Sequence, residues 1–368
     1  MLIGGGTRLR PSASLAGLVV LSTAATVGCG GGSRSDVAST AVLDAGPLAA
    51  PPLPSPNAVL PDGTDHVFAW RETFLGDKDW QDNDDPNAWK TLGYDIDGLG
   101  SGPNVGVTCH PVPGPIQAVS PGDGIDGIDN SWGANVMPIV LGLTSDAASK
   151  TAGSMAEPVF SRLITIARLG SGPSYFPLRA ALYDTGAIPS APKWDGADVW
   201  PIQYESVLNG DINAARIVLP YSYVTGRTWV SGSWAAITFG IQISGYSLAM
   251  TIHNAILSMD LAADSASATH GIVAGVLDTQ ELVTALRTLV GKISPSLCAG
   301  PTLDSILAQL TQASDIMKDG TQDPSRPCNG ISIGIGFTAS EAKLGAVLPP
   351  AQKGTDPCAG LVDAGGGG

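Results

Sequence analysis

The chain has 368 residues, with 33 acidic against 19 basic side chains and a formal charge of −14; such acidity disfavours nucleic acid and anionic lipid head groups as partners. Its 47 glycines and 28 prolines, with only 14% charged residues, point to a turn-rich β protein rather than a helical bundle. The length is ample for one large domain or two small ones.

The first residues read as an export signal. Arg8 and Arg10 form a short basic region, and "LAGLVVLSTAATV" (15–27) is apolar but too short to cross a bilayer as a permanent helix. It ends in "TVGC", with small Gly28 directly before Cys29. That ending resembles the lipobox of bacterial lipoproteins, in which the signal peptidase cuts before the cysteine and a diacylglycerol is joined to its sulfur. Thr26 stands where the pattern prefers Leu. The resemblance implies a signal peptide over 1–28 and a lipid on Cys29, the one expected membrane contact. The other reading is an ordinary secretory signal, and both export the chain. Gly30, not Asp, follows the cysteine, which by the same resemblance favours the outer membrane or cell surface. Loss of residues 1–28 removes two arginines and no acid, leaving 17 basic against 33 acidic side chains, or −16.

Residues 29–63 are rich in Gly, Ser, Ala and Pro and lack apolar periodicity. Such a stretch buries too little surface to offset its ordering entropy, so a flexible linker is expected. The glycine-rich tail at 361–368 is expected to be disordered.

Along the part expected to fold, "HVFAWRETFLG" (66–76) alternates and ends at glycine, as a first strand does. An acidic loop, "DKDWQDNDDPN", follows, then "YDIDGLGSG" (94–102) and "GDGIDGIDNSWG" (122–133). "ANVMPIVLGLTSDAASKTAGSMAE" is helical in part, with Pro138 near a start, and "FSRLITIARLG" (160–170) is a strand covered on both faces. The clearest β signal is 236–261: Ile237, Phe239, Ile241 and Ile243, then Leu248, Met250 and Ile252, then Leu257, Met259 and Leu261 alternate with smaller or polar residues. That is an antiparallel meander with one buried face. Asp278 and Glu281 form a capping box before a helix carrying Leu282, Leu286, Leu289, Val290 and Ile293 on one face; a second helix repeats the idea with Leu303, Ile306, Leu307, Leu310 and Met317. "GISIGIGFTA" returns to strand, with Ile331, Ile333, Ile335 and Phe337 on one face and glycines on much of the other, a pattern that permits close approach by another chain segment. The expected fold is mainly β (α+β): one antiparallel β-sandwich-like domain over 64–360, with a two-helix excursion at about 279–318 before the last strand.

Beyond Cys29, the chain holds Cys109, Cys298, Cys328 and Cys358. An even number in an exported protein predicts two disulfides, and no spacing matches a zinc or C-x-x-C motif. Three pairings are possible; Cys298 and Cys328 flank a helix, which favours that pair and leaves Cys109 with Cys358.

Three stretches carry a wider resemblance: "NAWKTLGYDIDGLGSGPNVGVTCHP", "DGIDGIDNSWGANVMPIVLGL" and "CNGISIGIGFTASEAKLG". They look like a family of uncharacterised lipoproteins from large-genome soil bacteria. The shared pattern is a D-x-D-G, a following Cys, a G-I-D-N with an aromatic residue and glycine, and a late C-x-x-I-S-x-G-I-G-F, over about 66–360. The resemblance implies a real exported domain and adds no activity.

The Asp-rich loops admit two readings. Asp-Gly pairs make tight turns, their carboxylates bonding nearby amides. Alternatively Asp95, Asp97, Asp123, Asp126, Asp129 and Asn130 converge on a structural calcium ion, which takes six to eight oxygens. Neither loop has the EF-hand spacing.

Signs of an enzyme are few. The chain lacks a G-x-S-x-G, an H-E-x-x-H and a P-loop, and its four histidines follow no ligand spacing. "WDGADVWPIQYE" sets Trp194, Trp200 and Tyr204 beside Asp195, Asp198 and Glu205. Aromatic platforms with carboxylates suit a glycan cleft; a stabilised long loop is the plainer account. The expected function is a non-enzymatic, lipid-anchored envelope protein with a binding or structural role toward a glycan or envelope partner. The alternative is a glycan-acting hydrolase using paired carboxylates.

Overall fold

The computed structural model describes residues 49–54, 60–100, 106–114, 122–143, 160–243, 246–293, 297–351 and Cys358. The expected signal peptide, Cys29, most of the linker and the 361–368 tail lie outside these residues.

The strands are β1 (Thr64–Phe74), β2 (Arg162–Leu169), β3 (Tyr175–Asp184), β4 (Val199–Ile202), β5 (Val207–Leu208), β6 (Asp211–Ala215), β7 (Ile217–Thr225), β8 (Thr228–Val230), β9 (Trp234–Ile243), β10 (Tyr246–Leu261), β11 (Ser267–Asp278), β12 (Gly330–Glu341) and β13 (Lys343–Val347). Eight of them run β1-β2-β3-β7-β8-β10-β11-β12, and β12 returns to β1. This closed antiparallel barrel replaces the expected sandwich. A sandwich needs two sheets that each keep their edges, whereas here β1 pairs with both β2 and β12, and β10 with both β8 and β11. Closure leaves β1, β11 and β12 paired on both sides, without the free edges that an open sheet must otherwise protect.

Alternation fills the interior. Phe68 and Trp70 of β1, Ile164 and Ile166 of β2, Leu178 and Leu182 of β3, Trp229 of β8, and Ile331, Ile333, Ile335 and Phe337 of β12 share one core. Trp70 stacks on Phe337 with ring centres 4.1 Å apart. Each such large side chain stabilises by about 1.5–3 kcal/mol relative to exposure.

Strand β10 keeps its face by breaking its period. Leu248, Met250 and Ile252 hold even positions and Leu257, Met259 and Leu261 odd ones, yet all six are core. The register against β11 shifts between His253 and Ile256, where Asn254 has φ 50°. This bulge inserts one residue and re-aims the rest of the strand. An unbroken period of two would leave one of the triplets facing solvent.

Three helices stand among the described residues: α1 (Met137–Leu143), reached through a π-helical turn at Trp132–Val136, α2 (Thr279–Ile293) and α3 (Pro301–Gln312). Asp278 Oδ1 accepts the N–H groups of Gln280 and Glu281 at 2.8 and 3.3 Å, capping α2. Its Leu282, Leu286, Leu289 and Val290 enter the core, as do Leu303, Ile306, Leu307 and Leu310 of α3. Helix α3 stops at Gln312, short of the expected end. Beyond it the N–H groups of Asp315 and Ile316 turn to the Gly330 carbonyl at the start of β12.

Two layers cover the outside. Residues 188–207 and β13 lie over β1–β3, where Ile188, Trp200, Ile202 and Val207 bury Ala69, Leu163, Ala181 and Tyr183. Over β11 and β12 lies the acidic segment, its Trp80, Leu92 and Tyr94 packed on Phe74, Ile272 and Ala274. The glycines of β12 make room for it. A Cβ on Gly334 would meet the Leu92 carbonyl oxygen, and one on Gly336 would lie 2.8 Å from Trp80. Part of the expected linker touches the barrel too: the Tyr223 hydroxyl donates to the Pro51 carbonyl at 2.5 Å.

The disulfides are Cys109–Cys328 and Cys298–Cys358, not the expected Cys298–Cys328 and Cys109–Cys358. Flanking the same helix does not bring two cysteines together. Instead the Cys328 N–H donates to the His110 carbonyl and the His110 N–H to Arg326, which sets Cys328 beside Cys109. Gly291 of α2 leaves the space that the Cys298–Cys358 bridge fills. Two disulfides mark an oxidising compartment. Among the described residues no helix is long and apolar enough to cross a membrane.

Candidate metal centre

The acidic layer is tied to the barrel before any carboxylate is considered. The Tyr94 hydroxyl and Ser258 Oγ of β10 lie 2.5 Å apart. Buried Asn130 does more: its amide nitrogen donates to the carbonyls of Leu92 and Gly334 at 2.9 and 3.0 Å, and its oxygen accepts the N–H groups of Gly133 and Gly334. Asn130 therefore clamps both loops to β12, and its carbonyl oxygen is not spare for a metal. Ser131 continues the clamp, donating its N–H to Ser332 Oγ at 2.8 Å.

With these bonds in place, Asp95, Asp97 and Asp129 converge. Each offers an oxygen within 4.8 Å of the others'. Asp129 is 4% exposed, and its Oδ2 accepts the N–H groups of Ile96 and Asp97 at 2.7 and 3.2 Å. Its Oδ1 has no hydrogen-bond donor among the described residues. Asp95 accepts from Gly98 and Gly100. Asp97 accepts from Leu99 at 3.0 Å and from the Gln322 amide at 2.7 Å. Gln322 also accepts the Cys109 N–H at 2.8 Å, joining the cluster to the first disulfide.

Two further carboxylates feel the group. Burial pushes Asp123 up to about 7, with Asp97, Asp315 and Asp95 adding to the rise. Asp315 is pushed up to about 7, again by burial first; hydrogen bonds from Ser332 oppose the rise and Asp97 adds to it. Burial, then the charges of Asp97 and Asp315, hold Asp129 well above the usual carboxylate range. Asp95 is raised by burial, against the pull of the Gly98 and Gly100 amides. Among the described residues no Lys, Arg or His forms an ion pair with Asp95, Asp97, Asp129 or Asp315. Carboxylates packed this way repel one another in the ionised form. A divalent cation would relieve that repulsion and finds the hard oxygen donors it prefers.

The remaining expected ligands separate. Asp126 sits exposed at the loop tip with φ 54°, outside the trio. Asp315, which the sequence does not single out, belongs to the centre's surroundings: it follows α3 and receives the Ser332 N–H and hydroxyl at 2.9 and 2.5 Å. The one clue to it in the sequence is an acid placed between a helix and an apolar strand.

The aromatic–acidic stretch at 194–205 is a capped turn over a core. Trp200 is fully buried, and Trp194 packs beside it with ring centres 6.0 Å apart. Asp198 accepts the N–H groups of Lys193 and Trp194, Asp195 that of Ala197, and Glu205 that of Ala351. Tyr204 is half-buried against Gly210.

The three stretches quoted for their resemblance to soil-bacterial lipoproteins meet at this one place, through Asp95 and Asp97, Asp129 and Asn130, and Ser332 and Gly334. In comparisons with known proteins, no family model, no curated protein and no solved structure matches the chain.

Proposed function

We propose that the protein is an exported envelope protein, lipid-anchored through Cys29 and displayed at the outer membrane or cell surface, with a non-enzymatic binding or structural role. In this reading a structural calcium ion clamps the two acidic loops to each other. The observation that carries the calcium reading is the convergence of Asp95, Asp97 and Asp129, two of them buried, with no cationic partner among the described residues. Asp123 feels the charges of Asp97 and Asp95 from outside the trio, and carbonyls and water complete the shell that calcium accepts with flexible geometry. Magnesium fits less well, because it demands a tighter octahedron.

The experiment is a melting curve of the full mature chain in calcium, in magnesium and in chelator. A ligand that binds only the folded state stabilises by RT ln(1 + [L]/Kd), about 2.7 kcal/mol at a hundredfold excess. Calcium raises the midpoint of the wild type and fails to raise that of Asp129→Asn. An unmoved wild-type midpoint returns the loops to plain turns. Anchoring is tested apart from this: Cys29→Ser releases the protein from the membrane fraction and abolishes lipid labelling, and unchanged association would refute the anchor.

A further inference from the structure

Residues 49–54, "AAPPLP", belong to the expected linker yet lie against the barrel. They form no helix or strand. Ala50 packs on the apolar cluster that Phe74, Tyr94 and Ile272 share outside the barrel. One residue on, the Pro51 carbonyl accepts the Tyr223 hydroxyl at 2.5 Å. Ala50 and Pro51 are half-buried, while Pro52 and Leu53 face solvent.

Two tyrosines of β7 show the effect of this contact. Ser222 and Val224 are buried, Val224 in the barrel core, so Tyr221 and Tyr223 point the other way, outward. Tyr221 is 70% exposed and Tyr223 only 6%. Burial pushes the Tyr223 hydroxyl above its usual range. It raises the Tyr94 hydroxyl too, with Asp260 and then Tyr223 adding to that rise. The two tyrosines are therefore neighbours, one on the barrel and one on the acidic layer, and the segment meets both.

The chemistry of the contact suits proline. Proline fixes its own φ and pushes the residue before it toward extended backbone. Ala50, Pro51 and Leu53 each precede a proline, so the stretch is extended before it docks and loses little entropy in doing so. An extended proline-rich segment has no internal hydrogen bonds, which leaves its carbonyls open to outside donors. Tyrosine offers a flat apolar ring with such a donor at its tip.

We propose that Tyr223, Tyr94 and the apolar side chains beside them form a docking site for proline-rich extended segments, filled in this chain by its own residues 49–54. The tethered segment acts at an effective concentration of about millimolar. A proline-rich segment of another chain enters only by displacing it.

The test is nitration of the folded, full mature chain with tetranitromethane, mapped by mass spectrometry. In the wild type Tyr223 reacts at least about tenfold more slowly than Tyr221, the ratio for a segment lifted about one-tenth of the time. Ala50→Asp puts a carboxylate into the apolar contact; it brings Tyr223 close to the Tyr221 rate while melting stays cooperative. A peptide of residues 47–56 in millimolar excess restores protection to Ala50→Asp, and the same peptide with alanine for every proline does not. The proposal is overturned if Tyr223 and Tyr221 react alike in the wild type, if Tyr223 stays protected in Ala50→Asp, or if the two peptides act alike.

Discussion

Two acidic loops lie within fifty residues of each other, and in the sequence they look alike. In "DKDWQDNDDPN", Asp79 accepts the N–H groups of Gln81 and Asn83 and the Asn83 amide, and Lys78 pairs with Asp82 at 2.7 Å, all at the surface. The Asn83 bonds hold the Asp79 carboxyl below its usual range. In the second loop pair, Asp129 and Asp123 are pushed the other way, by burial first and then by the charges of Asp97 and Asp315. Asp79 and Asp82 lie in surface turns; Asp123 and Asp129 lie where burial disfavours their charge. Composition does not separate them. What separates them is where the carboxylates stand: Trp80 makes the first loop's contact with the barrel while Asp79 and Asp82 bond at the surface, whereas Asn130 and Tyr94 hold the second pair down with Asp129 buried.

The sharpest way to break the contrast is to remove the clamp. Asn130→Ala orphans the Leu92 and Gly334 carbonyls and the Gly133 and Gly334 N–H groups. It is expected to cost about 3–5 kcal/mol, since buried unmade hydrogen bonds cost about 1–3 kcal/mol each. Urea unfolding measures it, and a loss below about 1 kcal/mol would mean that the layer does not depend on Asn130. Replacing both Cys109 and Cys328 by Ser comes next. That bridge spans 219 residues and contributes about 2–4 kcal/mol. Because Gln322 joins Cys109 to Asp97, the double variant also needs more calcium for half its stabilisation.

Acidity provides the third test, and Asp123 and Asp79 differ in sign. Asp123 and Asp315 hold their protons in the native state up to about pH 7, above the usual carboxylate range. Groups raised on folding contribute stability that is full at low pH and lost as pH climbs through the folded value. In chelator the melting midpoint therefore falls between pH 4 and pH 8. Calcium, which binds the ionised form, removes that fall. Asp79, lowered on folding, contributes above its unfolded value and loses that contribution as pH drops. A chelated midpoint that rises toward pH 8 would overturn the picture of carboxylates whose charge burial disfavours. The smallest effect is expected at the surface: Asp79→Asn leaves both the midpoint at pH 7 and the response to calcium unchanged.

Much of this was open to reading from the residues. The apolar strands, the Asp278 cap, both helix faces and the close approach over the β12 glycines follow from local spacing. So does the meeting of Asp95, Asp97 and Asp129 as one of two readings. What the pattern conceals is long-range. Closure into a barrel depends on which strands pair, and the slip at Asn254 hides in a strand whose two halves each alternate correctly. Asn130 carries the chemistry of a ligand, but the backbone groups that claim it come from β12, about two hundred residues away. Asp315 lies alone in the sequence and acquires its surroundings only when Ser332 folds over it. Disulfide partners are hidden for the same reason, being chosen by the His110–Arg326 pairing rather than by nearness to the helices.

The place of β12 between β11 and β1 has a consequence in time. Phe68 of β1 opposes Glu341 of β12, so one of the first strands to be made waits for one of the last. Until residues 330–341 arrive, β1 and β11 both present unpaired edges, open to any passing strand. Long-range pairing also makes loop closure slow, since much chain must be ordered before the contact rewards it. The ring can be sealed only once, and late. Such a chain is most exposed to aggregation just before its final long strand docks.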